Sequence, residues 1–193
     1  MFDFFYSKIL SIPECTFDLG MSDTDSFLFK VTNPKMFWKK MKPYMDFSNY
    51  PTNHELFTNE NKAKLGYFKD EFCGSKRCVE FIGLRAKCYC FNLEDKKTKE
   101  VTTKKTCKGL GRTAINNRLK FDQYKKCLME GKIKRHHFST IRSSKHKLST
   151  IRQRKKALSH FDSKRFLFAC GIHSLPYNHY KIKKFYYSCP YCK

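Results

Sequence analysis

Two aspartates lie close together between apolar segments in the stretch LGMSDTDSFLFKV, residues 19–31. The flanking segments ECTFDLGM and SFLFKV favour β-strands, and two such segments joined by polar residues predict a hairpin. Residues two apart in a strand point to the same face, so we expect Asp23 and Asp25 to converge at the end of the hairpin, with Thr24 pointing away. Two adjacent carboxylates repel each other and are best held ionised by a divalent cation that also contacts a phosphate. The alternative is a plain surface turn, since Asp, Thr and Ser are ordinary turn residues.

The chain is strongly basic. Its 193 residues include 40 Lys and Arg against 17 Asp and Glu, a net charge of +23, which favours a polyanionic partner such as nucleic acid or an anionic membrane surface. Hydrophobic residues make up 40% of the chain, enough to form the core of one or two small domains. No apolar run approaches the roughly 20 residues of a spanning helix, and the N-terminus does not resemble a signal peptide. We therefore expect an intracellular protein with no membrane partner.

Helical and strand-like patterns alternate along the first half. Apolar residues at helical spacing predict a short amphipathic helix over residues 1–10, which ends before Pro13. A second helix is predicted after Asn33, with Pro34 at its first position. A polar loop follows, and the segments LGYFKDEF and CVEFIGLRAKCYCF, together with the charged connector NLEDKKTKEVTTKK, then predict further strands of an antiparallel sheet.

The second half changes in composition. Two helices are predicted at about 111–118 and 121–130, and Gly131 ends the second. Between Lys104 and Lys156 there are eighteen Lys or Arg and only two acidic residues. A charge run is often a solvated face, but this excess is interleaved with apolar residues and favours binding to DNA phosphates without sequence readout. The segment KGLG at 108–111 lacks the full P-loop pattern and is interpreted as a turn before a helix.

Ten cysteines without a secretion signal indicate reduced thiols or metal ligands rather than a disulfide framework. Cys189 and Cys192 form one Cys-x-x-Cys pair, and Cys73 with Cys78 are the candidates for a second pair around zinc. The spacing of this second pair is irregular. His136 and His137 are adjacent and would point to opposite faces of a strand, so they are poor candidates for ligands of the same ion. We favour structural or incidental thiols over a zinc site at these cysteines.

Several segments, taken in order, resemble the C-terminal part of a family B DNA polymerase. MSDTDS is similar to the signature of that family's palm, and Lys87 and Tyr89 in AKCYC match its Lys-x-Tyr motif. The stretches CKGLGRTAINNRLKFDQYKKCLMEGK and LSHFDSKRFLFACGIHSLPYNHYKI resemble the thumb and C-terminal regions of the protein-primed branch found in Polinton-type mobile elements and related viruses. The resemblance runs from about residue 1 to residue 183.

This resemblance implies an α+β fold: half of an antiparallel β palm carrying the catalytic hairpin, followed by a mixed helical and β thumb. Residues 1–95 would belong to the palm, 96–183 to the basic thumb and C-terminal region, and 184–193 to a tail. The implied activity is template-directed nucleotidyl transfer with two Mg²⁺ ions, which activate the primer hydroxyl and stabilise the leaving oxygen. Primer-template DNA, deoxynucleoside triphosphates and a terminal protein primer are the implied partners, and a eukaryotic transposon copy would act in the nucleus.

The resemblance also assigns roles to residues. Asp25 would be the direct metal ligand and Asp23 the supporting carboxylate. Lys87 and Tyr89 would share one face of a strand and contact the primer backbone, although the same alternation fits an ordinary amphipathic strand. The remaining DNA contacts are assigned to two cations, Lys108 and Arg112.

The chain departs from the family pattern in two ways. Met21 stands where the signature has tyrosine, which removes a hydroxyl but keeps the bulk. The family's other metal-binding aspartate, its nucleotide-binding helix and its exonuclease do not occur in this sequence, so we expect a C-terminal fragment that is inactive alone. The alternative function is a non-catalytic basic DNA-binding module, with zinc stabilisation as a variant of that alternative.

Overall fold

The structure, a computed structural model, describes residues 1–161, 164–171 and 173–192. The chain divides into two compact units. Unit 1 contains Met1–Gly83 and Cys90–Lys104, and unit 2 contains Leu84–Tyr89 and Lys105–Lys193. The fold is mixed α/β with small, mostly antiparallel sheets, as predicted for its class. The division into palm, thumb and tail stays a prediction.

Unit 1 opens with a helix and a hairpin. The predicted N-terminal helix forms as a π-helix over Phe4–Ile9. Strands β1 (Phe17–Asp23) and β2 (Ser26–Val31) then pair antiparallel, which confirms the predicted hairpin.

Helix α1 (Pro34–Met41) follows this hairpin and begins where the sequence predicts. The Asn33 side chain accepts a hydrogen bond from the Met36 N–H at 3.3 Å, which satisfies one of the unpaired donors at the helix start. Proline at the first helical position has no N–H to satisfy. The local sequence thus fixes the start of the helix.

Aromatic packing holds these elements together. Phe37, on α1, lies with ring centroids 5.8 Å from Phe17 of β1 and 5.5 Å from Phe29 of β2. Phe5 of the π-helix stacks on Phe27 at 5.1 Å. The buried core comprises Phe5, Ile9, Ile12, Cys15, Phe37, Met41, Met45, Phe47 and Tyr50. Large rings bury much apolar area per residue, so a short segment can hold both the helix and the hairpin.

The next two strands are very short and pair in parallel. A 3₁₀ turn over Lys42–Tyr44 leads into β3 (Met45–Asp46), which pairs with β4 (Phe68–Lys69). The prediction that LGYFKDEF joins an antiparallel sheet is therefore wrong. A long polar loop separates the two strands, and such a connection allows the parallel direction that a tight turn forbids.

The buried side chain of Asp46 stabilises the parallel pair of β3 and β4. Its side chain is only 2% exposed. Its carboxylate accepts hydrogen bonds from the N–H groups of Ser48 and Ala63, both at 2.9 Å, and lies 3.1 Å from the Lys69 ammonium. Burial alone would raise the pKa of Asp46, but these donors hold it well below its usual value. The folded structure thus stabilises the charged form of Asp46.

A three-stranded sheet in the order β5-β6-β7 follows, formed by β5 (Lys76–Arg85), β6 (Cys88–Asp95) and β7 (Val101–Cys107). These strands confirm the predicted strand segments. Connections of only a few residues join them, which is compatible only with antiparallel neighbours.

Unit 2 contains the two predicted helices, α2 (Arg112–Arg118) and α3 (Phe121–Met129). Gly131 has φ of +67°, the left-handed conformation that favours glycine after a helix. The Tyr124 hydroxyl donates to the Thr106 carbonyl at 3.2 Å. The fully buried side chains of unit 2 include Tyr124, Cys127, Leu158, Cys88 and Ala157.

A long antiparallel hairpin follows the helices, with β8 (Lys134–Ser144) paired to β9 (Lys147–Leu158). The chain then forms a small hairpin, β10 (Arg165–Leu167) with β11 (Ser174–Pro176), and a five-residue helix, α4 (Tyr180–Lys184). Among the residues that the structure describes, no helix has the length and apolar character needed to cross a membrane.

Asp46 yields a stability prediction. Asp46→Asn keeps the shape but loses the charge and one acceptor, so we expect it to lower the free energy of unfolding by about 3 kcal/mol at pH 7. Because the folded pKa is lowered, this contribution is fully present above the unfolded value of about 3.9 and is lost progressively as pH falls from there through the lower folded pKa. The gap between the two proteins should therefore shrink in acid. Urea unfolding from pH 7 to pH 3 measures it, with the exposed Asp18→Asn as control; equal stability at pH 7 would contradict the assignment.

Candidate functional site

The two aspartates lie at the tip of the β1–β2 hairpin. Asp23 ends β1, Ser26 begins β2, and Thr24 with Asp25 form the two-residue turn between them. Thr24 has φ of +54°, and the Asp25 N–H donates to the Asp23 carbonyl at 2.7 Å. The prediction that strand alternation brings both carboxylates to one face is therefore wrong in its reasoning, because Asp25 belongs to the turn. Turn geometry, rather than the pleat, decides where Asp25 lies.

Short side-chain contacts brace this tip. The Ser26 hydroxyl donates to the Asp23 carbonyl at 3.0 Å, and the Thr24 hydroxyl donates to the Asp23 carboxylate at 3.3 Å. Asp23 is half-buried and Asp25 is exposed. The pair thus combines one supported carboxylate with one that faces solvent.

A bulge precedes the tip. The β1–β2 register shifts between Leu19 and Met21, so Gly20 forms the irregularity. A Cβ on Gly20 would lie 3.2 Å from the Leu28 carbonyl oxygen and 3.3 Å from the Phe81 ring, so glycine permits a close approach there. Bulges re-aim the residues that follow them, and here those residues are Met21, Ser22 and Asp23.

A cavity of about 560 Å³ opens beside the hairpin tip. Asp25 lines it together with Asp70 and Glu71, the ammonium-bearing Lys69, and aromatic residues that include Phe68. Carboxylate oxygens are the type of ligand that Mg²⁺ prefers. Among the residues that the structure describes, however, these carboxylates do not form a group of three or more potential ligands close enough to share one ion.

Asp70 is held by neighbouring donors. The Tyr50 hydroxyl donates to its carboxylate at 2.6 Å, and the N–H groups of Phe72 and Gly74 donate at 2.9 and 3.2 Å. Burial and this contact with Asp70 raise the pKa of Tyr50 well above its usual value. Asp70 therefore supports the cavity wall, and Asp25 supplies the more exposed carboxylate.

The Lys-x-Tyr pair sits at a turn rather than along one strand. Lys87 lies between β5 and β6 with φ of +55°, and its carbonyl accepts from the Lys108 N–H at 2.8 Å. Tyr89 is half-buried on β6, between the fully buried Cys88 and Cys90. The prediction that Lys87 and Tyr89 share a strand face is therefore wrong, because the strand begins only at Cys88.

The other two predicted DNA contacts flank a glycine turn. Lys108 and Arg112 are both exposed, one just after β7 and the other at the start of α2. Gly109 has φ of +97°, and Gly111 caps the helix. KGLG thus forms the turn before a helix that the sequence predicts, joined to the Lys87 turn by the Lys108 N–H.

The long hairpin of unit 2 concentrates positive charge. We name residues Lys134–Leu158 the basic ribbon. The ribbon contains no Asp or Glu and nine Lys or Arg: Lys134, Arg135, Arg142, Lys145, Lys147, Arg152, Arg154, Lys155 and Lys156. With strands of 11 and 12 residues it extends roughly 36 Å. Burial and the nearby Arg118 lower the pKa of His136.

Four potential metal ligands converge at the C-terminal end of unit 2. Cys170, His173, Cys189 and Cys192 place one ligand atom each within 4.8 Å of all the others. Cys73 and Cys78, which the sequence offered as candidates for a second pair, do not belong to this cluster. The signal missed in the sequence is Cys-x-x-His at 170–173, which precedes Cys-x-x-Cys by fifteen residues, a spacing typical of zinc sites.

Comparison with protein-family models, curated proteins and solved structures finds no match for this chain. The site therefore has to be interpreted from its own residues.

The Lys87 turn allows a clean test of its cation. Lys87→Gly removes the charge and relieves the left-handed backbone, so we expect unchanged or slightly raised stability with weaker binding to primer-template DNA. Lys99→Gly is the matched control, since Lys99 is also exposed, in a turn, with φ of +61°. Fluorescence anisotropy and thermal unfolding measure both effects. Equal DNA affinity of the two variants would remove Lys87 from the interface.

Proposed function

We propose that this chain is the palm-and-thumb portion of a family B DNA polymerase of the protein-primed branch, and that it takes part in DNA replication. The observation that carries the proposal is the pair Asp23 and Asp25 at the tip of an antiparallel hairpin. In this proposal the partners are primer-template DNA, deoxynucleoside triphosphates and a terminal protein primer. The activity would be intracellular, and nuclear in a eukaryotic host.

The tip carries part of the chemistry that nucleotidyl transfer needs, namely two carboxylates suited to a divalent ion. Bound Mg²⁺ would supply charge stabilisation for the attacking and leaving oxygens of the in-line displacement. Asp25, which lines the cavity, is assigned as the direct ligand, and Asp23 as the supporting carboxylate. The Thr24 hydroxyl donates to the Asp23 carboxylate, and the Ser26 hydroxyl donates to the Asp23 backbone carbonyl. The bulge at Gly20 supports this assignment, because bulges are common beside active sites.

Unit 2 supplies cations for the DNA backbone. The basic ribbon presents exposed arginines on both of its faces, with Arg152 and Arg154 on one face and Arg142 on the other. Phosphate contacts of this kind bind duplex without reading its sequence. Lys108, Arg112 and the Lys87 turn are assigned to the same role. Tyr89 is assigned to the primer side, where an aromatic hydroxyl can donate to sugar or phosphate oxygens.

A second candidate function is a basic DNA-binding module without catalysis. The basic ribbon favours it, since the ribbon alone accounts for nonspecific DNA binding. The two candidates differ at the hairpin tip, because only the polymerase requires a divalent ion at Asp25.

The tip is tested by metal binding and turnover. With primer-template DNA and a nucleotide present, Mn²⁺ should broaden the backbone NMR signals of residues 22–27 in the full chain, and Asp25→Asn should abolish that broadening. In an enzyme reconstituted with the upstream half that the resemblance implies, the same change should lower turnover on the order of a hundredfold or more while DNA affinity stays near normal.

Asp18→Asn is the control for this experiment, because Asp18 is an exposed carboxylate on the same hairpin, away from its tip. It should keep both the broadening and the turnover within a few fold. Broadening at the tip that survives Asp25→Asn would contradict the role of Asp25 as ligand. Absence of broadening in the unmodified chain would favour the DNA-binding module.

The ribbon is tested by its salt dependence. Replacing Arg142, Arg152 and Arg154 with glutamine should weaken binding to duplexes of any sequence and reduce the slope of log affinity against log salt by roughly 2 to 3. The control replaces Lys35, Lys39 and Lys40 of α1, which are exposed and carry the same total charge. An identical loss in both triple variants would show a general charge effect rather than a ribbon interface.

A further inference from the structure

We propose that Cys170, His173, Cys189 and Cys192 form a structural zinc site that holds the C-terminal segment of unit 2. This inference is independent of the polymerase proposal, since none of the four residues belongs to the hairpin tip or to the basic ribbon. A set of three thiolates and one imidazole favours zinc over hard cations such as Mg²⁺.

The distances fit one tetrahedral ion. His173 Nδ1 lies 3.6 Å from Cys170 Sγ, 3.5 Å from Cys189 Sγ and 3.5 Å from Cys192 Sγ. With Zn–S of about 2.3 Å and Zn–N of about 2.0–2.1 Å, a tetrahedral ion separates a nitrogen and a sulfur ligand by roughly 3.6 Å. All three nitrogen–sulfur distances therefore match a single centre between the four atoms.

The local backbone is arranged as two ligand turns. Cys170 and His173 lie in the connection between β10 and β11, and the His173 N–H donates to Cys170 Sγ at 3.4 Å. Such an N–H···S bond stabilises a thiolate and orients it. Gly171 has φ of +73°, which permits the tight turn between these two ligands. Cys189 and Cys192 come from the segment after α4, so the ion would link two parts of the chain.

The regular structure of this segment is short. In the part of it that the structure describes, the regular elements are two strands of three residues and one helix of five, all too short to be stable by themselves. Phe168, 2% exposed, is its buried aromatic anchor, with Phe166 at 5.4 Å between ring centroids. Small structures with so little core depend on a metal or on disulfides. The four ligands fill the coordination shell, which is the mark of a structural rather than a catalytic site.

Neighbouring side chains suit the charge of the site. Three thiolates and one neutral imidazole around Zn²⁺ carry a net charge of −1. Tyr191, between the last two cysteines in sequence, lies 5.5 Å from the His173 ring, and the Lys181 ammonium lies 5.3 Å from the Tyr191 ring centroid. Lys183 and Lys184 follow on the same short helix. A cation packed on the ring of Tyr191, as Lys181 is, favours the anionic, metal-bound form of the cluster.

The experiment measures zinc in the full chain purified in a reducing buffer. We expect one zinc per chain by mass spectrometry, and cobalt exchange should give the visible absorption and thiolate charge-transfer bands of a tetrahedral site. Cys192→Ser should lose most of the bound zinc, whereas His173→Cys should retain it and shift the cobalt spectrum towards four sulfur ligands. Cys78→Ser, a half-buried thiol outside the cluster, is the control and should retain one zinc.

Three results would overturn the proposal: no zinc or cobalt bound by the unmodified chain, an octahedral cobalt spectrum, or equal zinc content in Cys192→Ser and the unmodified chain. His173→Cys keeps a four-ligand set, so its spectral shift tests the ligand assignment on a folded protein. Chelation should lower the melting temperature of the unmodified chain and leave that of Cys192→Ser unchanged. DNA binding by the ribbon and manganese binding at Asp25 are separate measurements and can fail without affecting this result.

Discussion

The buried carboxylate of Asp46 is the interaction on which unit 1 depends. It joins three parts of the chain: β3, the loop at Ala63 and the ammonium of Lys69. A two-residue parallel pair makes too few hydrogen bonds to persist alone, so the charged anchor has to hold it. Once β4 is fixed, its Lys69 and the next residue, Asp70, line the cavity beside the hairpin tip. Residues that stabilise unit 1 and residues that line the candidate site thus lie in one short segment.

The sequence predicts the elements better than their pairing. The Asn33 cap, Pro34 and Gly131 each carry a local backbone requirement, and the helices begin and end where those residues predict. β4 could not be predicted in the same way, because its partner β3 lies more than twenty residues earlier and the contact depends on a buried charge at Asp46. Helix ends can be predicted from neighbouring residues in the sequence, whereas pairing between distant strands cannot.

The candidate site shows the same limit at smaller scale. Asp23 and Asp25 were predicted at a hairpin tip, and they lie there, but the two-residue turn takes Asp25 out of the strand. Lys87 leaves its strand for the same reason. In both cases the rule that residues two apart share a strand face fails within one residue of a tight turn. A left-handed φ in the turn replaces the extended backbone on which that rule depends. Turn length has to be fixed before side chains are assigned to faces.

The cysteines of unit 2 fall into two groups with different physical roles. Cys88, Cys107 and Cys127 are buried in unit 2 as small apolar side chains, and the Cys107 thiol donates to the Ala157 carbonyl at 2.9 Å. Cys170, Cys189 and Cys192 lie nearer the surface, around the imidazole of His173. Packing thus explains the buried group, and the zinc site proposed above gives a physical reason for the convergence of the other three thiols.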